Sequence, residues 1–392
     1  MGDLKRLLLA GAGHAHVQVL KDWSRKPLAG TELLLVSPGM LAPYSGMVPG
    51  WLAGAYRFDE ICIDVARLTS AAGARLLIDE VAAIDADTRQ VRLASGKKLD
   101  YDLLSIDIGS TLQPPAVAGD DALVLSLRPL AALHDRWESL LARLQVVADD
   151  RPLNVTAVGG GAAGFESLLA VLSRLRSLRP GRKLHGRLVS QATSLLPGFA
   201  PGAVRAAGDA LARADVAVHL GTEWRDDTGR YGHAERGADT ERRTERGDAD
   251  RGGNDLLLWA VGAKAHDWQQ DPSRRGGLAV NEQGFIRVDP RLQSVSHRDV
   301  FAAGDCIDWP APLPKAGVYA VRMGPVLGRN LRAALEGRGL TTYRPQHRFL
   351  ALLATGDGRA IGSRGRWSAE GRWLWHWKDH IDRGFVRRFS LG

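Results

Sequence analysis

Cysteine is almost absent: Cys62 and Cys306 are the only two thiols in 392 residues. They are too few and too far apart for a disulfide framework, a zinc finger or a CxxC redox pair, and they imply a reducing, cytoplasmic address. Long apolar runs are missing as well. No stretch reaches the ~18 uninterrupted apolar residues of a spanning helix, and Met1 to Ala10 runs into a glycine cluster rather than a cleavage site, so neither a span nor a secretion signal is expected. Lysine is scarce, with nine among the 52 basic residues, and the formal net charge of +8 is carried by arginine. That balance suits anionic ligands, acidic lipids or nucleic acid, but composition alone does not make nucleic acid the expected partner. Hydrophobic residues at 45% and charged residues at 24% exclude collagen-like, coiled-coil and wholly disordered chains. The length has room for two or three domains.

Two segments share one pattern of β-run, tight glycine turn and apolar-periodic helix. The first is Leu4 to Ala10, then Gly11-Ala-Gly13-His-Ala-His16, then Val17 to Leu20; the second is Leu153 to Val158, then Gly159-Gly-Gly161-Ala-Ala-Gly164, then a helix from Phe165 to Leu175. Both read as openings of dinucleotide-binding βαβ units, in which glycines permit the turn and let backbone N–H groups meet a pyrophosphate at a helix N-terminus. One such turn is weak; two imply two dinucleotides. Only the second is complete, since His16 stands where a third glycine would allow close helix–strand packing. Strands are expected at Glu32 to Val36, Leu99 to Asp107 (after a hairpin over 91–98), Leu184 to Val189, Val216 to Leu220, Leu256 to Gly262 and Asp299 to Ala303. The pattern predicts an α/β fold with parallel sheets. Residues 225–254 alternate Arg with Glu and Asp, hold almost nothing apolar, and read as a disordered surface insertion that tolerates deletion.

Asp305 is delivered by a buried strand beside Gly304, where a carboxylate accepts hydrogen bonds from ligand hydroxyls such as those of a ribityl chain; an isolated Gly-Asp is otherwise a turn or cap. After a proline-rich loop, Lys315 to Leu335 reads as a helix with a kink at Gly324-Pro325. Its N-terminal dipole, with Lys315, favours negative charge of the kind that gathers on the N1–C2=O edge of a reduced flavin. His14 and His16 do not read as a metal pair, because i,i+2 side chains diverge at a helix start, and no metal site is expected.

Together, Gly11 to His16, Pro43-Tyr-Ser-Gly-Met-Val-Pro-Gly50, Asp107-Ile-Gly-Ser110, Gly159 to Glu166, Phe301-Ala-Ala-Gly-Asp-Cys306 and Pro314 to Ala320 resemble the pyridine nucleotide-disulfide oxidoreductase superfamily. Within it the chain is similar to a branch found alone or fused ahead of selenide, water dikinase, related to type II NADH dehydrogenases and sulfide:quinone reductases. The resemblance implies two Rossmann-like domains and a small C-terminal domain: FAD on a discontinuous domain of 1–118 and 276–340, NAD(P)H on 119–275, and an interface segment over 341–392. It places Gly11, Gly13 and His14 at the FAD pyrophosphate, Asp305 on the ribityl chain, and Ser37, Gly109 and Ala320 around the same cofactor. Gly159, Gly161, Gly164 and Gly262 would hold the nicotinamide cofactor. Glu166, at its pocket, and Lys315, at the flavin edge, are the implied catalytic residues. The acidic residue expected after the second strand of each unit is replaced by Ser37 and Ser190, so NADH and NADPH are not distinguished.

The implied function is an FAD-dependent NAD(P)H dehydrogenase delivering electrons to a quinone-like acceptor. A sulfide- or selenide-oxidising flavoenzyme is the same-fold alternative, needing reactive cysteines of which only Cys306 is suitably placed; a flavin-bound regulatory or nucleic-acid-binding protein is the other. No dithiol relay is expected. In the tail, Trp367, Trp373, Trp375 and Trp377 lie among arginines and suit a peripheral contact with the inner face of a membrane. The favoured reading is a hairpin and helix packed over the flavin or against a second copy in a homodimer, because Asp379, His380 and Asp382 interrupt the apolar face.

Overall fold

A computed structural model describes residues 4–114, 123–146, 151–224, 231–233, 255–346 and 348–390. The chain opens with β1 (Lys5–Ala10), α1 (His14–Arg25), β2 (Thr31–Ser37), β3 (Arg75–Ile78) and β4 (Leu103–Ile106). It crosses to β5 (Leu123–Ser126), α2 (Leu130–Val146), β6 (Leu153–Val158), α3 (Ala162–Leu178), β7 (Leu184–Ser190), α4 (Pro201–Arg213), β8 (Val216–Leu220) and β9 (Leu256–Trp259). It then returns through β10 (Val300–Ala302) and α5 (Gly317–Leu335). Last come β11 (Ala351–Ala354), β12 (Ala360–Arg364), β13 (Trp367–Gly371) and α6 (Arg372–Phe389).

Two five-stranded sheets result, ordered β10-β4-β1-β2-β3 and β5-β9-β6-β7-β8, with every pair parallel. Each puts the strand that feeds a glycine turn at its centre. Helices cover such sheets on both faces, so the strands are continuous apolar runs rather than alternating ones: Leu7, Leu8 and Leu9 are all fully buried. The expected α/β class with two Rossmann-like units therefore holds, and ligands of such sheets sit beyond the carboxyl ends of the strands. The two crossings between the sheets pair with each other, Thr111–Leu112 running antiparallel to Ala263–Lys264. Strands β11–β13 form a separate antiparallel sheet against which α6 packs. Among the described residues no helix is long and apolar enough to cross a membrane.

Several local expectations change. Leu99 to Asp107 is not one strand: Lys98–Asp100 joins an antiparallel meander with Val81–Asp85 and Gln90–Leu93, and the chain changes sheets before β4. The switch is fixed by Asp102, whose carboxylate accepts the Arg6 amide at 2.6 Å. Helix α5 runs as one helix through Gly324-Pro325. Gly324 is there for a close crossing, since a Cβ on it would lie 2.8 Å from Gln18 Cβ and 3.2 Å from the Ala15 carbonyl oxygen of α1. Of the insertion 225–254, Tyr231–His233 pairs with Thr222–Trp224 and the rest lies outside the described residues.

The two glycine turns solve the helix–strand contact differently. At the second, a Cβ on Gly164 would sit 2.0 Å from the Gly159 carbonyl oxygen, so only glycine lets α3 press onto the turn. At the first, His16 is fully buried, with Nδ1 2.6 Å from the Gly11 carbonyl and Nε2 2.8 Å from Ser105 Oγ. Burial holds its pKa down to about 4, so the ring is neutral; its one proton sits on Nδ1, and Nε2 accepts from the serine hydroxyl. A histidine thus bridges helix, turn and β4 where glycine normally only makes room. Gly164→Val is expected to cost about 1–3 kcal/mol by overpacking, read as a lower unfolding midpoint. Gly161→Ala, whose added Cβ meets nothing within 4 Å, is expected to change stability by less than about 0.5 kcal/mol.

Candidate active site

Gly11 follows β1 with φ +93°, the left-handed region that favours glycine, and its amide donates to the Val36 carbonyl at 2.8 Å. Gly13 caps α1 in extended conformation. The group these glycines make room for is Asp107, at the end of β4: a Cβ on Gly13 would lie 2.3 Å from its carboxyl carbon, and one on Gly304 would lie 2.5 Å from Oδ1. The Asp107 carboxylate is 2% exposed, and its Oδ2 accepts the amides of Ala15 at 2.8 Å and His16 at 3.1 Å. Burial raises its pKa to about 7, the two amides lowering it and Asp305 raising it further. The bonds at this helix end account for the amides of Gly11, Gly13, Ala15 and His16, and those of Ala12 and His14 have no partner among the described residues. Gly109, at φ +70°, has open space where a side chain would be. Ser37 spends its hydroxyl on the Gly39 carbonyl at 2.9 Å, closing the turn after β2.

Asp305 is held by an arginine from the other sheet. Arg128 Nη1 lies 2.7 Å from Asp305 Oδ2, and the same guanidinium reaches the Ser110 hydroxyl and, at 3.3 Å, the Lys315 carbonyl. Ala320, in the first turn of α5, is buried, and a Cβ on Gly304 would lie 3.5 Å from its own Cβ. Lys315 lies just ahead of α5. Its ammonium donates to the Ile307 carbonyl and sits 3.7 Å from the centre of the Phe285 ring, so its charge is engaged within the loop rather than free at the helix start. Burial lowers its pKa.

In the second unit Gly159 has φ +126°, and Gly161 caps α3 with no acidic residue in the first helical turn. Gly161 and Gly262 both face open space. Ser190 closes this cleft, its Oγ 2.9 Å from where a Gly160 Cβ would be. Both turns thus present helix-start amides, a donor set that fits a dinucleotide diphosphate at each; Gly161 of the second is open where a side chain would be, whereas Gly13 of the first lies against Asp107.

Glu166, one turn into α3, accepts the Ala354 amide of β11 on Oε1 at 2.7 Å, tying the second unit to the C-terminal sheet. Burial raises its pKa to about 7 against the pull of Lys378. Lys378 is itself buried in α6, 2.7 Å from Asp382 and 2.6 Å from the Gly46 carbonyl. Tyr44 and Asp382 interact electrostatically, and burial raises the pKa of both. Phe385 stacks on Tyr44 at 4.3 Å and on His14 at 6.1 Å, and burial keeps His14 neutral with a pKa near 4. The tail therefore lays its inner face over the start of α1, while Trp373, Trp377 and Ile381 stay exposed on the outer face.

Arg128, Lys378, Asp382, Tyr44 and Asp107 carry much of this geometry and were not singled out as functional by sequence. Lys378 and Asp382 had a legible signal: an i,i+4 pair of opposite charge on the same helix face as Leu374, Phe385 and Phe389. Both cysteines are buried, and burial raises each thiol pKa to about 12, which leaves no thiolate to react near neutral pH.

The family of pyridine nucleotide-disulphide oxidoreductases matches residues 5–324. Among curated proteins, an alternative NAD(P)H-ubiquinone oxidoreductase C1 of Arabidopsis thaliana is 27% identical over 277 residues, which is 66% of this chain and 50% of that protein, so the chain spans half the relative's length. Among solved structures, sulfide:quinone oxidoreductase of Aquifex aeolicus superposes with TM-score 0.76 at 15% identity, covering 98% of this chain and 91% of that one. NDH2 of Plasmodium falciparum, solved with NADH, gives 0.74 at 12%, covering 98% and 97%. With both glycine turns, both sheets and the Gly304-Asp305 strand end within the matched span, the chain belongs to the pyridine nucleotide-disulphide oxidoreductases, and its cofactors are FAD and NAD(P)H.

Proposed function

We propose that the chain is an NAD(P)H dehydrogenase that passes two electrons to a quinone-like acceptor. The observation that carries this reading is the cluster in which buried Lys378 and Asp382 of α6 meet half-buried Glu166 of α3 and Tyr44, alongside two cysteines that are both buried. The chemistry supplied by FAD, when bound, is acceptance of a hydride from the nicotinamide and delivery of two electrons onward. The net reaction turns NAD(P)H, quinone and one proton into NAD(P)+ and quinol, so the protein must supply a proton as well as two docking sites. Gly159, Gly161 and Gly164 hold the nicotinamide cofactor at the start of α3; Gly11, Gly13, Asp305 and Arg128 hold FAD. Glu166, with a carboxyl pKa near 7, exchanges a proton at working pH. The Lys378 side chain acts electrostatically on Glu166, and a cation at that place favours an acceptor that gains electrons.

The similarity to an NAD(P)H-ubiquinone oxidoreductase supports the choice of acceptor class. The sulfide-oxidising alternative needs a reactive thiol. Cys306 instead lies 3.1 Å from the Ala303 carbonyl and 3.6 Å from that of Ile106, in the core of the first unit. The exposed Trp373, Trp377 and Ile381 stripe supports a peripheral contact for the outer face of α6.

Glu166 is protonated below its pKa and loses its proton as pH rises through about 7, so acceptor reduction is expected to fall above that pH. Glu166→Gln is expected to lower steady-state quinone reduction about 10²-fold and abolish the step. Anaerobic flavin reduction by NAD(P)H should stay within a few-fold in that variant; equal loss in both half-reactions would assign Glu166 to nicotinamide binding instead. The Cys62→Ser, Cys306→Ser double variant is expected to keep quinone turnover within a few-fold, whereas collapse with flavin still bound would move the protein to thiol-dependent chemistry.

A further inference from the structure

Asp107 is a carboxylic acid standing where the fold prepares a place for phosphate. Its Oδ2 occupies the amides of Ala15 and His16 at the N-terminus of α1, and Gly13 and Gly304, from the two FAD motifs, both lack side chains where its carboxyl group lies. Among the described residues no basic side chain pairs with it: the arginine nearby, Arg128, is paired with Asp305. A carboxylate and a diphosphate on one buried helix end repel each other in a weakly screened setting, whereas a neutral carboxyl there is a hydrogen-bond donor that a phosphate oxygen accepts.

We propose that Asp107 is a diphosphate-binding residue that works in its protonated form, so that FAD binding takes up one proton. The carboxylate gains a proton from water, and its O–H bonds to the diphosphate; no other bond changes. The raised pKa of the carboxyl group, about 7 without ligand, puts this exchange within reach of neutral pH. The ionisable groups around it do not blur the signal. His14 and His16 on α1 are neutral above about pH 4, and the Cys306 thiol titrates near 12. Asp305 is paired with Arg128 at 2.7 Å, and Lys315 is bound to the Ile307 carbonyl.

The experiment dilutes purified, flavin-loaded, full-length protein into buffers from about pH 6 to 9 and reads released FAD by its fluorescence at equilibrium. Affinity is expected to be level below about pH 7 and to weaken up to tenfold per pH unit above it, because one proton is lost with the flavin. Asp107→Asn, a permanently neutral group of the same shape, is expected to hold FAD with no slope. Flavin release independent of pH in the wild type, or an unchanged slope in Asp107→Asn, overturns the assignment. Should Asp107→Asn not fold, the infrared spectrum of the loaded wild type decides: a protonated-carboxyl band at about pH 8 supports the proposal, and its absence overturns it.

Discussion

The N-terminus of α1, with Asp107 held against its first amides, sets the position of much of the first unit. Helix starts carry unpaired N–H groups and partial positive charge, and the fold aims this one at the carboxyl end of its sheet. Because Asp107 closes β4 and sits beside Gly304, one carboxyl group fixes three chain segments at once: the glycine turn, β4 and the loop after β10. His16 does the complementary task on the other side of the turn, joining Gly11 to Ser105 of β4. An enlarged side chain at Gly13 would meet the carboxyl group itself, which makes that position intolerant for a reason internal to the protein.

The C-terminal helix ties the two units together through charge. Glu166 comes from the second unit, Tyr44 and the Gly46 carbonyl from the first, and Lys378 with Asp382 from α6. Buried ions of this kind add little to stability when complete but cost several kcal/mol when one partner is lost. Their place at the meeting point of three elements is the one that the proton transfer proposed for Glu166 requires.

The architecture was legible because parallel strands buried on both faces leave unbroken apolar runs such as Leu7-Leu-Leu9, and because glycine turns at 11–13 and 159–164 mark helix starts by their backbone needs. What was not legible was anything decided by tertiary neighbours. Asp107 looked like one letter of a strand end, since nothing local says that its carboxyl group folds back on α1. Lys315 looked free at a helix start, but Ile307 and Phe285 take its charge. Asp382 seemed to spoil an apolar helix face, yet it turns inward because Lys378 lies one turn away to neutralise it. The change of sheet near Asp102 depends on Arg6, nearly a hundred residues earlier.

The paired crossings between the sheets carry one more consequence. Thr111 and Leu112 are bonded to Lys264 and Ala263, with the Thr111 hydroxyl on the Lys264 carbonyl at 3.2 Å and His266 Nε2 3.2 Å from the Ile108 carbonyl. Two separate tethers would let one unit swivel about the other; stitched edge to edge they form a strap that bends in one direction and resists torsion. Arg128, reaching across to Asp305, adds a charged link at the same joint.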